Sequence, residues 1–181
     1  ELHCYNSKLT SLDVSGKASL KLLYCDTNQL TELKLSDCTA LTELDCYGNS
    51  LESLDVTDCT ALVRLDCNDN KLTSLDLTKN TSLSNYNLAD QTYSIGEVID
   101  SYPLSKLPEG FVSSNAGDWT GAEYDEGTAS LINFSSTSVT YKYDCGKQMM
   151  PVTLSLTSYT LSSVIWDISN FESILLLSES I

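Results

Sequence analysis

The residues of this chain that could do chemistry are seven cysteines, one histidine and 25 acidic side chains. A cysteine nucleophile needs a base beside it, and a pair of facing carboxylates can cleave a glycosidic bond. Cys145 lies in the second half of the chain, whereas the single histidine, His3, lies near its start. A Cys–His or Ser–His–Asp site is therefore not expected. The acidic residues fall in repeat columns and nothing indicates a cleft between them, so the chain is predicted to be no enzyme.

The spacing of the cysteines belongs to a repeat of 21 residues. Each unit reads L-x-x-L-x-C-x-x-N-x-L-x-x-L-x-[LV], and one example consists of Leu41, Leu44, Cys46, Asn49, Leu51, Leu54 and Val56. A single unit cannot bury its own apolar residues, so successive units are expected to stack and share a core. The elements that position the chemistry are thus short strands with one apolar side.

The cysteine column predicts buried thiols. Cys4, Cys25, Cys46 and Cys67 fall on the same side of the predicted strands as the leucines. Strands of stacked coils would hold the Cβ atoms farther apart than the ~3.8 Å that a disulfide prefers. We expect reduced thiols that behave as small hydrophobes. No C-x-x-C pair occurs, so the sequence predicts no metal site.

An asparagine column follows the cysteines. Asn28, Asn49 and Asn70 stand where the chain leaves the strand, and Asn80 holds the like position in the second half of its repeat. A side-chain amide there can bond backbone groups that would otherwise be buried and unpaired. We interpret the column as a structural ladder rather than a binding site.

The repeat resembles the leucine-rich-repeat consensus, with cysteine where many repeats place leucine, and it is similar to the short repeats of bacterial surface proteins such as the internalins. The resemblance covers residues 2 to about 88. It implies a mainly β fold in which residues 1–90 form a leucine-rich-repeat solenoid of four repeats, which we expect to be truncated at the N-terminus. It also implies a secreted or cell-surface protein with a noncatalytic binding or adhesion role.

Seven outward positions of the predicted strands are the candidate ligand-binding residues. They are His3, Tyr24, Asp45 and Asp66 between the apolar positions, and Tyr5, Asp26 and Tyr47 just after the cysteines. Tyrosine is enriched at recognition surfaces, and aspartate accepts hydrogen bonds from basic or hydroxylated partners. A host protein or a glycan is the expected partner. The alternatives are that the aromatic residues only stabilise neighbouring strands, or that the whole segment is a structural spacer.

The second half of each repeat also carries charge, in a column that contains Asp13, Lys34, Asp55 and Asp76. We interpret it as a solvated face. Binding of calcium, which would relieve the repulsion between stacked carboxylates, is the alternative. No G-x-G-x-x-G motif or P-loop occurs, and no cofactor is expected.

After Leu88 the leucine register fades. Residues 91–110 carry Pro103, Pro108 and Gly110 among polar residues and are predicted to be a connector. Alternation at residues 139–143 and 152–156 predicts a hairpin, and residues 111–181 are predicted to form a small Ig-like, β-sandwich-like capping domain with Trp119 and Phe134 in its core. The stretch 91–157 resembles β-rich segments that follow such repeats in extracellular proteins of gut bacteria. A leucine triplet at residues 175–177 is too short to be an anchor.

The net charge of −15, from 25 acidic and 10 basic residues, limits the possible partners. Phosphate backbones and anionic lipids would be repelled, so neither nucleic acid nor a membrane surface is expected to bind. No apolar run approaches the ~20 residues that span a bilayer.

Overall fold

The computed structural model describes residues 1–160, and in this part of the chain the protein is mainly β, as the sequence predicts. Helix is confined there to two 3-10 turns, Leu104–Lys106 and Ser113–Asn115. The strands of the described residues are β1 Leu2–His3, β2 Ser11–Asp13, β3 Leu22–Tyr24, β4 Glu32–Lys34, β5 Glu43–Asp45, β6 Arg64–Asp66, β7 Asn85–Asn87, β8 Gln91–Ile99, β9 Ser101–Pro103, β10 Ala116–Thr120, β11 Glu123–Asp125, β12 Ser130–Ile132, β13 Ser138–Asp144 and β14 Met149–Thr160.

The first half of the chain is a stack of coils joined by a parallel sheet. Five strands pair in the order β1, β3, β5, β6, β7, and each strand is shifted by one repeat from its neighbour, as in the pairing of Leu23 with Leu44 and of Leu44 with Leu65. A smaller parallel pair, β2 with β4, lies in the second half of the repeat. Because side chains alternate along a strand, the central leucine of each strand points inward.

The leucine and cysteine columns fill the interior of this stack. Leu23, Leu44 and Leu65 are at most 1% exposed, and Cys25, Cys46 and Cys67 are fully buried beside them. All seven cysteines are free thiols, and Cys4 in the first coil is the one that is only half-buried. The predicted burial of the thiols is therefore confirmed for Cys25, Cys46 and Cys67, and it is partial for Cys4.

Alkylation of the native protein is expected to modify Cys4 and to leave the other six thiols unmodified. Burial raises the pKa of every cysteine, to about 12 for Cys25, Cys59 and Cys145, so the reactive thiolate is scarce as well as inaccessible. Intact-mass measurement after iodoacetamide treatment should show a single adduct, and treatment in denaturant should show seven. Rapid native modification of Cys46 or Cys67 would show that the interior is open to solvent.

The asparagine ladder is confirmed in atomic detail. The Asn70 amide nitrogen donates to the carbonyl oxygens of Cys46 at 3.0 Å and Cys67 at 3.1 Å, and its Oδ1 accepts from the Leu51 amide at 3.0 Å. Asn49 makes the equivalent bonds one coil earlier. Each amide thus joins its own coil to the preceding one and pairs backbone groups that strand pairing leaves unused.

The ladder has a further member that the sequence interpretation missed. Gln91 follows Asn70 by one repeat, is 1% exposed, and donates from Nε2 to Cys67 O at 2.8 Å while Oε1 accepts from Leu72 N at 3.0 Å. Gln91 is also the first residue of β8. The longer glutamine side chain therefore completes the last rung at the point where the backbone leaves the coils.

The segment 91–110, which was expected to be a connector, contributes strands to the second half of the molecule. β8 pairs in parallel with β14, in a four-stranded sheet with the order β10, β13, β14, β8, and β9 lies at the edge of a three-stranded sheet with β12 and β11. β13 and β14 form the predicted hairpin. Its turn contains Gly146 at φ +82°, where a Cβ atom would lie 2.5 Å from Thr78 Cγ2.

The hairpin closes the end of the coil stack. The Leu77 amide donates to Cys145 O at 3.0 Å, whereas in the first coil Val14 donates to Lys34 of the next coil. Tyr141 Oη donates to Thr73 O at 2.7 Å, and Lys147 Nζ donates to Thr81 O at 3.0 Å. Backbone groups that another coil would pair are thus paired by the second half of the chain.

The aromatic core differs in part from the prediction. Phe134 is buried, as expected. Trp119 is only partly buried, because it stands on the edge strand β10, and its ring stacks on that of Tyr141 with centroids 4.5 Å apart. The central aromatic residue is Tyr141, which is 1% exposed. Residues 161–181, with the leucines at 175–177, lie outside the described part, and the prediction for them stays a prediction.

Candidate functional site

The seven candidate residues lie on one side of the parallel sheet. His3, Tyr24, Asp45 and Asp66 share a column, because β1, β3, β5 and β6 pair in register. Tyr5, Asp26 and Tyr47 follow the strands two positions later and therefore point to the same side. Six of the seven line a shallow depression of about 380 Å³, and these are His3, Tyr5, Tyr24, Asp26, Asp45 and Tyr47. Asp66 lies beside it on the next strand.

The aromatic side chains of the depression divide into two groups. His3 lies over Tyr24 with ring centroids 4.8 Å apart, so these two make the contact between strands that the structural alternative predicts. Tyr5 and Tyr47 keep 56% and 38% of their surface exposed. Strand stabilisation therefore accounts for His3 and Tyr24, and Tyr5 also meets His3 edge-on with centroids 6.5 Å apart. It does not account for the ring surface that Tyr5 and Tyr47 leave in solvent.

Two residues of the site were missed by the sequence interpretation. Glu43 Oε2 accepts a hydrogen bond of 2.8 Å from Tyr24 Oη, which raises the pKa of the tyrosine. Arg64 contacts two of the predicted aspartates, with Nη1 3.3 Å from Asp45 Oδ2 and Nη2 3.7 Å from Asp66 Oδ2. The alternation along the strand could have indicated both residues. Glu43 and Arg64 each precede an inward leucine, whereas the predicted aspartates follow it, so all of them point outward.

Asp45 is the buried charge of the site. It is 9% exposed, and its Oδ1 is buried without a hydrogen-bond partner among the described residues, although Arg64 holds Oδ2. Burial raises the pKa of the Asp45 carboxyl and the charge of Asp66 raises it further, while Arg64 acts in the opposite direction. The site therefore combines an incompletely bonded carboxylate with exposed aromatic rings.

The charged column in the second half of the repeat forms turns. Asp13, Asp55 and Asp76 each accept a hydrogen bond of 2.8 to 2.9 Å from the backbone amide two residues later. The Ser15 amide lowers the pKa of Asp13, and the side chain and then the amide of Thr78 lower the pKa of Asp76. The carboxylates are therefore used in local turns, which agrees with the interpretation of a solvated face.

Cys145, the one cysteine considered as a nucleophile, is buried at the junction of the hairpin and the coils. Its Sγ lies 3.7 Å from Tyr143 O, and burial raises its pKa to about 12. His3 stands on β1, at the far end of the parallel sheet. A thiol in this state is a poor nucleophile, and the absence of catalysis stays a prediction.

Comparison with known proteins assigns no family to this chain. No family model and no curated protein matches the chain. A similar solved structure is the functional domain of InlJ from Listeria monocytogenes, which includes a cysteine ladder; it is 21% identical, with a TM-score of 0.39, over 83% of this chain and 60% of that one. The chain thus spans about 60% of the length of that domain. In residues 1–160 no helix is long and apolar enough to cross a membrane.

Proposed function

We propose that the coils are a leucine-rich-repeat solenoid with a β-sandwich-like cap, and that they act as a noncatalytic binding module of a secreted or cell-surface bacterial protein. The observation that supports a binding role is the shallow depression lined by Tyr5, Tyr47 and Asp45. The exposed surface of the two rings and the unpaired Oδ1 of Asp45 make no contact within the described residues that would explain them. Large exposed aromatic surface beside polar groups is typical of recognition sites.

The strands that carry the site are anchored in the core, which favours binding. Its residues stand on short strands whose central leucines are buried and whose turns are held by the asparagine ladder. A partner would therefore meet a backbone that is already fixed, and less conformational entropy would be lost on binding. We propose an extracellular location because the repeat resembles the short repeats of bacterial surface proteins.

The test is a screen of the protein against host-protein and glycan arrays. Tyr5→Ala and Tyr47→Ala are each expected to weaken any reproducible hit by about tenfold. Truncating an aromatic residue at the centre of an interface often lowers the binding free energy by more than about 1 kcal/mol. Ile99→Ala removes an apolar side chain that is 60% exposed on β8, outside the depression, and should leave binding unchanged.

Two results would contradict the binding role. One is a hit that survives both tyrosine substitutions, which would move the site elsewhere. The other is that folded protein reproducibly binds nothing on any array, which would favour the alternative of a structural spacer.

A further inference from the structure

We infer that the depression recognises a basic side chain, so that its partner is a protein segment carrying arginine or lysine rather than a neutral glycan. This inference rests on the proposed binding function and adds the chemical class of the ligand. It is carried by three features of the site, which are the unfilled oxygen of Asp45, the exposed rings and the balance of charge.

The first feature is the carboxylate of Asp45. Both guanidinium contacts from Arg64 go to Oδ2, at 3.3 and 3.4 Å, and Oδ1 has no hydrogen-bond partner among the described residues. Leaving a buried acceptor unpaired costs free energy, which a donor supplied by a ligand would recover. A positively charged donor recovers more, because hydrogen bonds between ionised groups are stronger than neutral ones.

The second feature is the pair of exposed tyrosines. Tyr5 and Tyr47 line the same depression as Asp45. The face of an aromatic ring attracts a guanidinium or an ammonium group, and it also packs against the methylene groups that lead to that charge. Arginine and lysine side chains therefore fit both the rings and the carboxylate, which an acidic ligand does not.

The third feature is the charge around the depression. Asp45 and Asp66 share the single guanidinium of Arg64, while Asp26 contributes a further carboxylate to the lining. The whole chain carries a net charge of −15. A basic segment would be attracted at long range and would remove repulsion among these carboxylates, whereas a neutral glycan would gain neither effect.

The experiment titrates the protein with short peptides in which glycine alternates with arginine, lysine, glutamine or glutamate. The arginine and lysine peptides are expected to bind, and the glutamine and glutamate peptides are not. Asp45→Asn keeps the size of the side chain and should weaken binding by about tenfold, since a charge-assisted hydrogen bond is lost. Asp26→Asn, at a half-buried position, should weaken it by about threefold and stands in if Asp45→Asn fails to fold.

The matched control is Asp37→Asn, which removes the same charge from an exposed position before Cys38. Asp37 has φ +60°, a conformation that asparagine also tolerates. This variant should bind within about twofold of the wild type. Equal losses for Asp37→Asn and Asp45→Asn would overturn the inference, because binding would then follow net charge alone.

The inference can fail while the proposed function stands. A neutral or acidic array ligand that is lost on Tyr47→Ala, together with no binding of the basic peptides, would show a recognition site of another ligand class. Silence of both the arrays and the peptides would remove the binding function itself.

Discussion

Replacing Asn70 with alanine is expected to lower the free energy of unfolding by roughly 3 to 5 kcal/mol, because three fully buried backbone groups lose their side-chain partner. The groups are the carbonyls of Cys46 and Cys67 and the amide of Leu51. Asn70 is 4% exposed, so water cannot replace the lost bonds without opening the coil. Urea denaturation followed by circular dichroism measures the change.

Asn28→Ala is the matched control, because the chemistry is the same and the burial is not. The Asn28 amide donates to Cys4 O at 2.9 Å and Cys25 O at 3.0 Å, and its Oδ1 accepts from Ser7 and Leu9. Asn28 is only half-buried in the open part of the stack. Its replacement should cost about 1 kcal/mol, because solvent can reach the freed groups. Equal costs at Asn28 and Asn70 would show that burial does not set the strength of the ladder.

Replacing Tyr141 with alanine is the second change with a large expected effect, about 4 kcal/mol of lost stability. The ring is 1% exposed, packs against Trp119 at 4.5 Å and Phe111 at 5.9 Å between centroids, and carries the hydroxyl that donates to Thr73 O. The substitution leaves a cavity and an unpaired carbonyl at the junction between the coils and the second half of the chain.

Two further variants separate these contributions. Tyr141→Phe keeps the ring and removes the hydrogen bond, and it should cost about 1 to 2 kcal/mol. Tyr124→Ala removes a half-buried ring that stacks on Trp119 but has no bond to the coils, and it should cost less than Tyr141→Ala. Thermal unfolding of the three proteins gives the comparison. A Tyr141→Ala protein as stable as Tyr124→Ala would mean that the junction does not support the fold.

The sequence was sufficient for the coils because their pairing repeats at a fixed interval. Once Leu44 pairs with Leu65, the same shift places Cys46 beside Cys67 and brings Asp45 next to Asp66. The direction of each side chain then follows from alternation. That is why six predicted residues share one depression, although their role in binding stays a prediction.

The features that were missed depend on contacts that the 21-residue repeat does not determine. β8 forms because it pairs with β14, which lies far along the chain, and no local pattern in residues 91–99 predicts that pairing. Gln91 was missed because a different amide residue continues the column after the leucines have ended. Arg64 and Glu43 were missed because long side chains reach sideways to neighbouring strands, and the column gives the origin of a side chain but not the position of its charged end.

The pairing of β8 with β14 also has a kinetic consequence. Contacts within the coils join residues about one repeat apart, whereas Gln91 and Val152 are separated by most of the second half of the chain. Closing the longer loop carries the larger entropic penalty, and folding rates fall as the average separation of contacting residues rises. During synthesis the coils leave the ribosome before β14 does and can form their short-range contacts. The end of the last coil stays unpaired until β14 has been translated.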